Sequence, residues 1–275
     1  DINNLRQILV GLGSTAQIIA KVETKAAIRP DTLEAIVKAS DGIMVARGDL
    51  AVEAGAEVVP IVQRRIIALC RKHGKLSIVA TQMMASMVNA PEPTRAEVSD
   101  VATATVQGAD VVMLSDETAN GHYPIEAVAA MKKTILYTQD NWPVTEISEK
   151  VIHPGNESLN ALSQAAVHIA EKIGAHNIIA ETKSGATAAS IAAGRPHMPI
   201  VAVTSLARTA QQLALNYATR SFVRPDGEKA GVNLAKELYA EKFFGDMSPM
   251  TTVIVSGRQP GVTGGTDTIR VRVIE

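Results

Sequence analysis

Short apolar runs alternate along this chain with stretches whose apolar residues recur at helical spacing, and that rhythm limits the possible folds more than any other feature. Residues 18–22, 43–46, 77–80 and 111–114 read as strands, and residues 30–39, 59–73, 95–107 and 124–139 as the helices that follow them. Pro30-Asp31 opens the first of these helices with proline at a tolerated early position, and Gly74 closes the second. Runs this continuous belong to parallel strands buried on both faces, so the expectation is a parallel α/β sheet. A closed barrel takes eight such units; here there are four. Residues 2–12 already show helical spacing and residue 1 is Asp rather than Met, so the chain is expected to open inside a structure under way.

Residues 141–154, with Pro143, Pro154 and mixed charges, read as a linker between residues 1–140 and 155–275. A second α/β pattern follows: helix 158–173, strand 177–180, helix 185–193, strand 200–203, helix 207–217, a short strand at 222–223 and helix 232–244. Two β-rich runs, 251–255 and 268–274, end it around a Gly-rich loop. The expected architecture is a small doubly wound domain.

Composition narrows the function. With 27 basic and 28 acidic side chains the net charge is -1, which offers no field to hold a polyanion, so nucleic acid is not an expected partner. Every apolar run meets a charge, Gly or Pro before the ~18 residues that span a bilayer, which argues against a membrane. One cysteine, Cys70, and no signal-peptide pattern point to a reducing cytoplasmic compartment. The six histidines show no metal-ligand spacing and read as surface or helix-end residues; Met83, Met84 and Met87 read as core filling, and Cys70 as a buried thiol.

In parallel α/β sheets ligands bind at the C-terminal strand edge. The first strand ends Lys21-Val22-Glu23, which places an ammonium and a carboxylate on one face; the same pair also fits a structural ion pair. The second ends Arg47-Gly48-Asp49, which also reads as a plain turn. Glu23 with Asp49 is the hard-oxygen pair that Mg²⁺ or Mn²⁺ accepts while keeping positions open for substrate. Thr81 ends the third strand and Ser115-Asp116-Glu117 the fourth, each alone no more than a helix cap.

The segments Ile18 to Glu23, Asp41 to Leu50, Ala80 to Met83, Pro93-Thr94-Arg95-Ala96-Glu97 and Met113 to Ala119 resemble the pyruvate kinase family in order and spacing. So do Asn156-Glu157-Ser158, Thr182 to Gly185, and Pro260 through Val271, so the resemblance covers essentially the whole chain. It implies phosphoryl transfer from phosphoenolpyruvate to ADP, on the last four βα units of a TIM-type (β/α)8 barrel followed by a small doubly wound α/β domain. It also implies Mg²⁺ or Mn²⁺ on Glu23 and Asp49, and K⁺ whose ligands come from earlier strands. Lys21 would lie over the transferring phosphoryl group, Gly48, Asp49 and Thr81 would receive the substrate carboxylate, and Ser115 and Glu117 would serve proton delivery. The early strands and the lid domain of the family have no counterpart here, so the chain is expected to be a fragment, inactive alone. Ala51, Ala85 and Asp116 stand where the family usually has Gly, Glu and Gly.

In the second domain, Thr182-Lys183-Ser184-Gly185 through Thr187 follows a strand and opens a helix, a place where a phosphate fits. Helix capping is the competing reading. The resemblance implies a sugar-phosphate or AMP effector pocket here, with Arg258 as a further cation and residues 257–265 folding over it, and a homotetramer assembled through helices near 125–131 and 158–170. Two other functions remain open at this point: a metal-dependent pyruvate aldolase or lyase, and a non-catalytic module that binds effectors or assembles subunits.

Overall fold

The computed structural model describes residues 1–142, 156–257, 261 and 263–275, which divide into two compact units, residues 1–150 and 151–275. In the first, helix α1 (Ile2–Gly11) precedes strand β1 (Ile19–Val22), then α2 (Pro30–Ala39), β2 (Gly42–Ala46), α3 (Arg47–Ala54) and α4 (Val59–Lys72). Strand β3 (Leu76–Ala80), a 3-10 turn at Ala85–Val88, α5 (Arg95–Val106), β4 (Val111–Met113), the single turn α6 (Asp116–Ala119) and α7 (Pro124–Asn141) complete it. The four strands pair in parallel in the order β1-β2-β3-β4.

Alternation along the strands sorts the side chains. Val22, Ile43 and Val45 pack against Leu33 and Val37 of α2 and Ile66 and Cys70 of α4. Val79 packs with Met83, Met84, Met87, Val101 of α5 and Met131 of α7. Lys21 is in register with Met44, and Met44 with Ile78, so these three share the opposite face. The methionines and Cys70 are buried as expected.

The second unit comprises α8 (Glu157–Lys172), β5 (Asn177–Glu181), α9 (Ala186–Ala193), β6 (Ile200–Thr204), α10 (Ala207–Leu213), β7 (Thr219–Val223), α11 (Ala230–Ala240), β8 (Met250–Gly257) and β9 (Thr266–Ile274). Its sheet order is β7-β6-β5-β8-β9, parallel except for the β8–β9 pair. One face buries Ile178, Ala180, Ile200 and Val253 with Ala166, Ile191 and Leu213; the other buries Ile179, Val201 and Ile254 with Leu234 and Leu238. Helices thus cover both faces, and the chain reverses direction across the sheet between β5 and β8, where doubly wound sheets open a crevice.

Several expectations need correction. Helix α10 stops at Leu213 rather than reaching 217; Tyr217 is buried under the Arg195 guanidinium, 4.8 Å from its ring centre, and Ala218 has φ 50°, which no helix accepts. Strand β7 starts at Thr219, three residues early, and α11 ends at Ala240. Helices α3 and α6 lie outside the elements read from periodicity. The apolar stripe of α8 is used within the unit, with Leu159, Ala166, Val167 and Ala170 buried, so that stripe is not available for assembly. Of the histidines, His73 is at a helix end but buried, and His176 is half-buried and accepts the Thr251 N–H. Most of the linker expected at 141–154 lies outside the described residues. No helix among the described residues is long and apolar enough to cross a membrane.

Candidate functional sites

Strand β1 carries Lys21 toward its C-terminal end, Glu23 follows it, and β2 passes directly into α3, which puts Asp49 in the first turn of that helix. These three residues meet. The Lys21 ammonium lies 2.7 Å from Glu23 Oε2 and 3.9 Å from Asp49 Oδ2, an ammonium between carboxylates of two adjacent strand ends. The hydrogen bond to Glu23, then the charges of Glu23 and Asp49, raise the Lys21 pKa, so it stays protonated. With side chains 54% exposed at Lys21 and 68% at Asp49, the cluster adds little to stability.

The donor set fits a hard divalent cation. Two carboxylates just past the ends of neighbouring strands supply oxygens, and no group of three or more His, Cys, Asp and Glu gathers among the described residues. Such a pair leaves coordination positions for a substrate, as Mg²⁺ sites do, and lacks the closed nitrogen or sulfur shell of a structural zinc.

Thr81, just past β3, has φ 70°, and Gln82 follows at φ 55°. Two consecutive non-glycine residues in the left-handed region cost energy and need external support. Thr81 Oγ1 accepts the Gly48 N–H at 3.0 Å, which joins the ends of β2 and β3 and leaves the Thr81 hydroxyl proton available. The amide of Gly48, expected to face a ligand, is thus engaged by Thr81. Support comes from Arg47, which sequence reasoning gave no role. Its guanidinium donates to the carbonyls of Ala80 and Thr81, touches Met83 Sδ, and pairs with Asp100 of α5.

Glu117 is buried, and its carboxylate accepts the N–H of Ser115 at 2.7 Å and of Met84 at 3.1 Å. It binds the end of β4 to the loop after β3. Asp116 faces solvent and accepts from Asn120 Nδ2 at 3.1 Å, and Ala85 is exposed, so neither departure enters the Lys21 cluster.

The second unit has its own crevice, a cavity of about 180 Å³ at the C-terminal ends of β5, β6 and β7 and beside the β8–β9 loop. Thr182, Lys183, Ser184 and Thr187 line it together. Ser184 does not cap α9. The N-cap is Gly185, at φ 91°, and its N–H is accepted by Thr182 Oγ1 at 3.0 Å; Ser184 itself is exposed. Thr187 is buried, 2.7 Å from the Thr266 hydroxyl. Lys183 is not a free cation: Ser205 Oγ and Asp226 Oδ2 each lie 2.6 Å from its ammonium. Arg258 lies outside the described residues. Ser205 and Asp226 went unnoticed in the sequence, although Pro225-Asp226-Gly227 directly after β7 is a turn signal at a ligand-binding edge. Glu181, also lining the crevice, accepts the Gly231 N–H at 2.9 Å; burial pushes its carboxyl up, more than that bond and Arg270 pull it down.

A family profile described as "Pyruvate kinase, barrel domain" matches residues 1–128, and one described as "Pyruvate kinase, alpha/beta domain" matches residues 160–272. Among curated relatives, Pyruvate kinase 2 of Synechocystis sp. is 40% identical over all of this chain and 46% of its own length. The pyruvate kinase of Mycobacterium tuberculosis is 38% identical over all of this chain and 57% of its own, and that of Methylorubrum extorquens 36% over the same shares. The chain spans about half the length of the curated relatives it matches.

Proposed function

Because this chain belongs to the pyruvate kinase family, we propose that its first unit is the last four βα units of a (β/α)8 barrel and supplies part of a site for phosphoryl transfer. The donor is phosphoenolpyruvate and the acceptor ADP. The bond between phosphorus and the enol oxygen breaks, a bond to the terminal ADP oxygen forms, and the enolate carbon gains a proton to leave pyruvate and ATP.

The Lys21 ammonium held between Glu23 and Asp49 is the observation that carries this reading. A loose phosphoryl transition state asks a protein mainly for cations and positioning. Lys21 faces the negative charge that grows on the bridging oxygen as the bond to phosphorus breaks. Glu23 and Asp49 would hold the Mg²⁺ or Mn²⁺ that the family implies, which supplies Lewis-acid neutralisation of phosphate and carboxylate oxygens. Thr81 keeps its hydroxyl proton for the substrate carboxylate beside the start of α3, where the Asp49 amide would also receive it while the Gly48 N–H stays on Thr81. Ser115 and Glu117 would serve proton delivery, and the Glu117 carboxylate accepts the Ser115 backbone N–H. The family's K⁺ enters this proposal without ligands from the matched motifs.

The second unit is proposed to bind a phosphorylated effector, a sugar phosphate or AMP, through Thr182, Lys183, Ser184 and Thr187, with Arg258 as a further cation. A cytoplasmic homotetramer completes the reading, with exposed Ile125 and Val128 on α7 offering apolar surface to a neighbour.

The test is Lys21→Met in a full-length protein carrying these residues, assayed for ATP formation from phosphoenolpyruvate and ADP. Turnover should fall by roughly 10²–10³ or more, with the fold and phosphoenolpyruvate binding retained. Near-normal turnover would sink the proposal. In the same assay residues 1–275 alone should form no ATP above a blank, because Lys21 and Asp49 stand open to water.

A further inference from the structure

Three strand ends and Gly261 converge on a single carboxylate in the second unit. Asp226, after β7, accepts from the ammonium of Lys183, after β5, at 2.6 Å, and from the hydroxyl of Ser205, after β6, at 2.9 Å. Lys183 also lies 2.6 Å from Ser205 Oγ, so the three groups close a triangle. On the remaining side Gly261 lies against the same carboxylate. A Cβ on Gly261, which has φ 75°, would come within 2.9 Å of Asp226 Oδ2, so a side chain there would require the carboxylate to shift.

An oxygen that accepts from one ammonium and one hydroxyl at a strand-to-helix edge sits as a phosphate oxygen would. We propose that Asp226 is a resident stand-in for an anionic ligand: its carboxylate occupies the Lys183–Ser205 position, and a phosphate ester enters by displacing it. This inference rests on the phosphate-binding reading of the crevice and adds what that reading lacks, the group that sets its affinity and transmits its occupancy.

The charges around the crevice favour such an exchange. Of the two cationic side chains that line it among the described residues, Arg224 is paired with Glu237 outside the triangle, so Lys183 is the described cation that an entering anion meets. Glu181 points its carboxylate at the Gly231 N–H. The Lys183 and Asp226 side chains are 25% and 38% exposed, so solvent reaches the pair, and an ion pair of that exposure is weak enough to open. Once Asp226 leaves, its contact with Gly261 is lost too. Occupancy of the Lys183 position is thereby coupled to both the 225–227 turn and Gly261. A ligand without an anionic group has nothing to exchange for Asp226.

Titration of residues 1–275 with inorganic phosphate, followed by amide NMR shifts, tests this. Asp226→Asn keeps the shape and removes the competing charge, and should tighten phosphate binding about five-fold, the weight of a solvent-exposed ion pair. Lys183→Met should weaken it. In the unsubstituted chain, phosphate should shift the amides of Asp226 and Gly261 together with those of Lys183 and Ser205. Phosphate that binds at Thr182 to Thr187 with no gain in Asp226→Asn, or with no shift at Asp226 and Gly261, overturns the stand-in role and leaves the phosphate site standing. If phosphate binds neither protein, the phosphate site itself falls, and the stand-in role with it.

Discussion

Arg47 holds together what the proposed chemistry needs. Nε and both terminal nitrogens are engaged, on two carbonyls at the end of β3 and on Asp100. Thr81 and Gln82 could not persist at positive φ without such support. The side chain is only 10% exposed, so its removal would strand Asp100 and both carbonyls. Arg47→Met is expected to lower the unfolding free energy by about 2–4 kcal/mol, measured by urea denaturation. Arg47→Lys should recover only part of it, since a single ammonium cannot span two carbonyls and a carboxylate. A loss below about 0.5 kcal/mol, the level of an ordinary surface change, would refute this role. None of this is legible in sequence, because Arg47 and its partners are 33 to 53 residues apart. Lys21 and Glu23 are legible, since two-residue spacing on a strand settles their common face.

At the scale of elements, α5 shows how a short motif organises its surroundings. Thr94 and Glu97 form a capping box, and Glu97 also accepts the Ser86 N–H at 2.7 Å and the Ser86 hydroxyl at 2.6 Å, which ties the helix to the preceding 3-10 turn. Burial pushes the Glu97 carboxyl up, but the hydrogen bonds from Ser86 and Thr94 outweigh it and hold the pKa below the ordinary 4.5. The unfolded chain therefore takes up the proton at higher pH than the folded one. The contribution of Glu97 is fully present above about pH 4.5 and lost as pH falls through the lowered value. Glu97→Ala should cost about 1–2 kcal/mol at pH 7, and Glu97→Gln should flatten the acid limb of the stability profile. An acid limb of unchanged slope in Glu97→Gln would count against it. Order and type of the long elements are legible from periodicity. Helices α3 and α6 are not, because eight and four residues are too few to show a period, and α3 leaves β2 without a break in the pattern. Helix α10 is overextended in the sequence reading because Leu213 and Tyr217 are both buried four residues apart, a helical spacing that the turn at Ala214 to Ala218 mimics.

At the scale of the whole molecule, the two sheets differ in the order in which neighbours arrive. In the first unit each strand pairs with the one just before it in sequence. In the second, β5 lies between β6 and β8, and β8 is the last parallel strand of the chain. Truncation after residue 245 removes one neighbour of β5 and the apolar side chains Val253, Ile254 and Val255 from both cores. Hydrogen exchange on that truncated chain should show residues 156–245 unprotected and the strands of residues 1–142 protected as before. Protection of β5 and β6 at the level of the longer chain would contradict this. The same strand order has a consequence in time. During synthesis, the edge of β5 that pairs with β8 stays bare until residue 257 has been made, and both cores lack Val253, Ile254 and Val255 until then. At roughly 5–20 residues per second that wait lasts seconds, long enough for the half-built sheet to meet a chaperone or another nascent chain before β8 arrives.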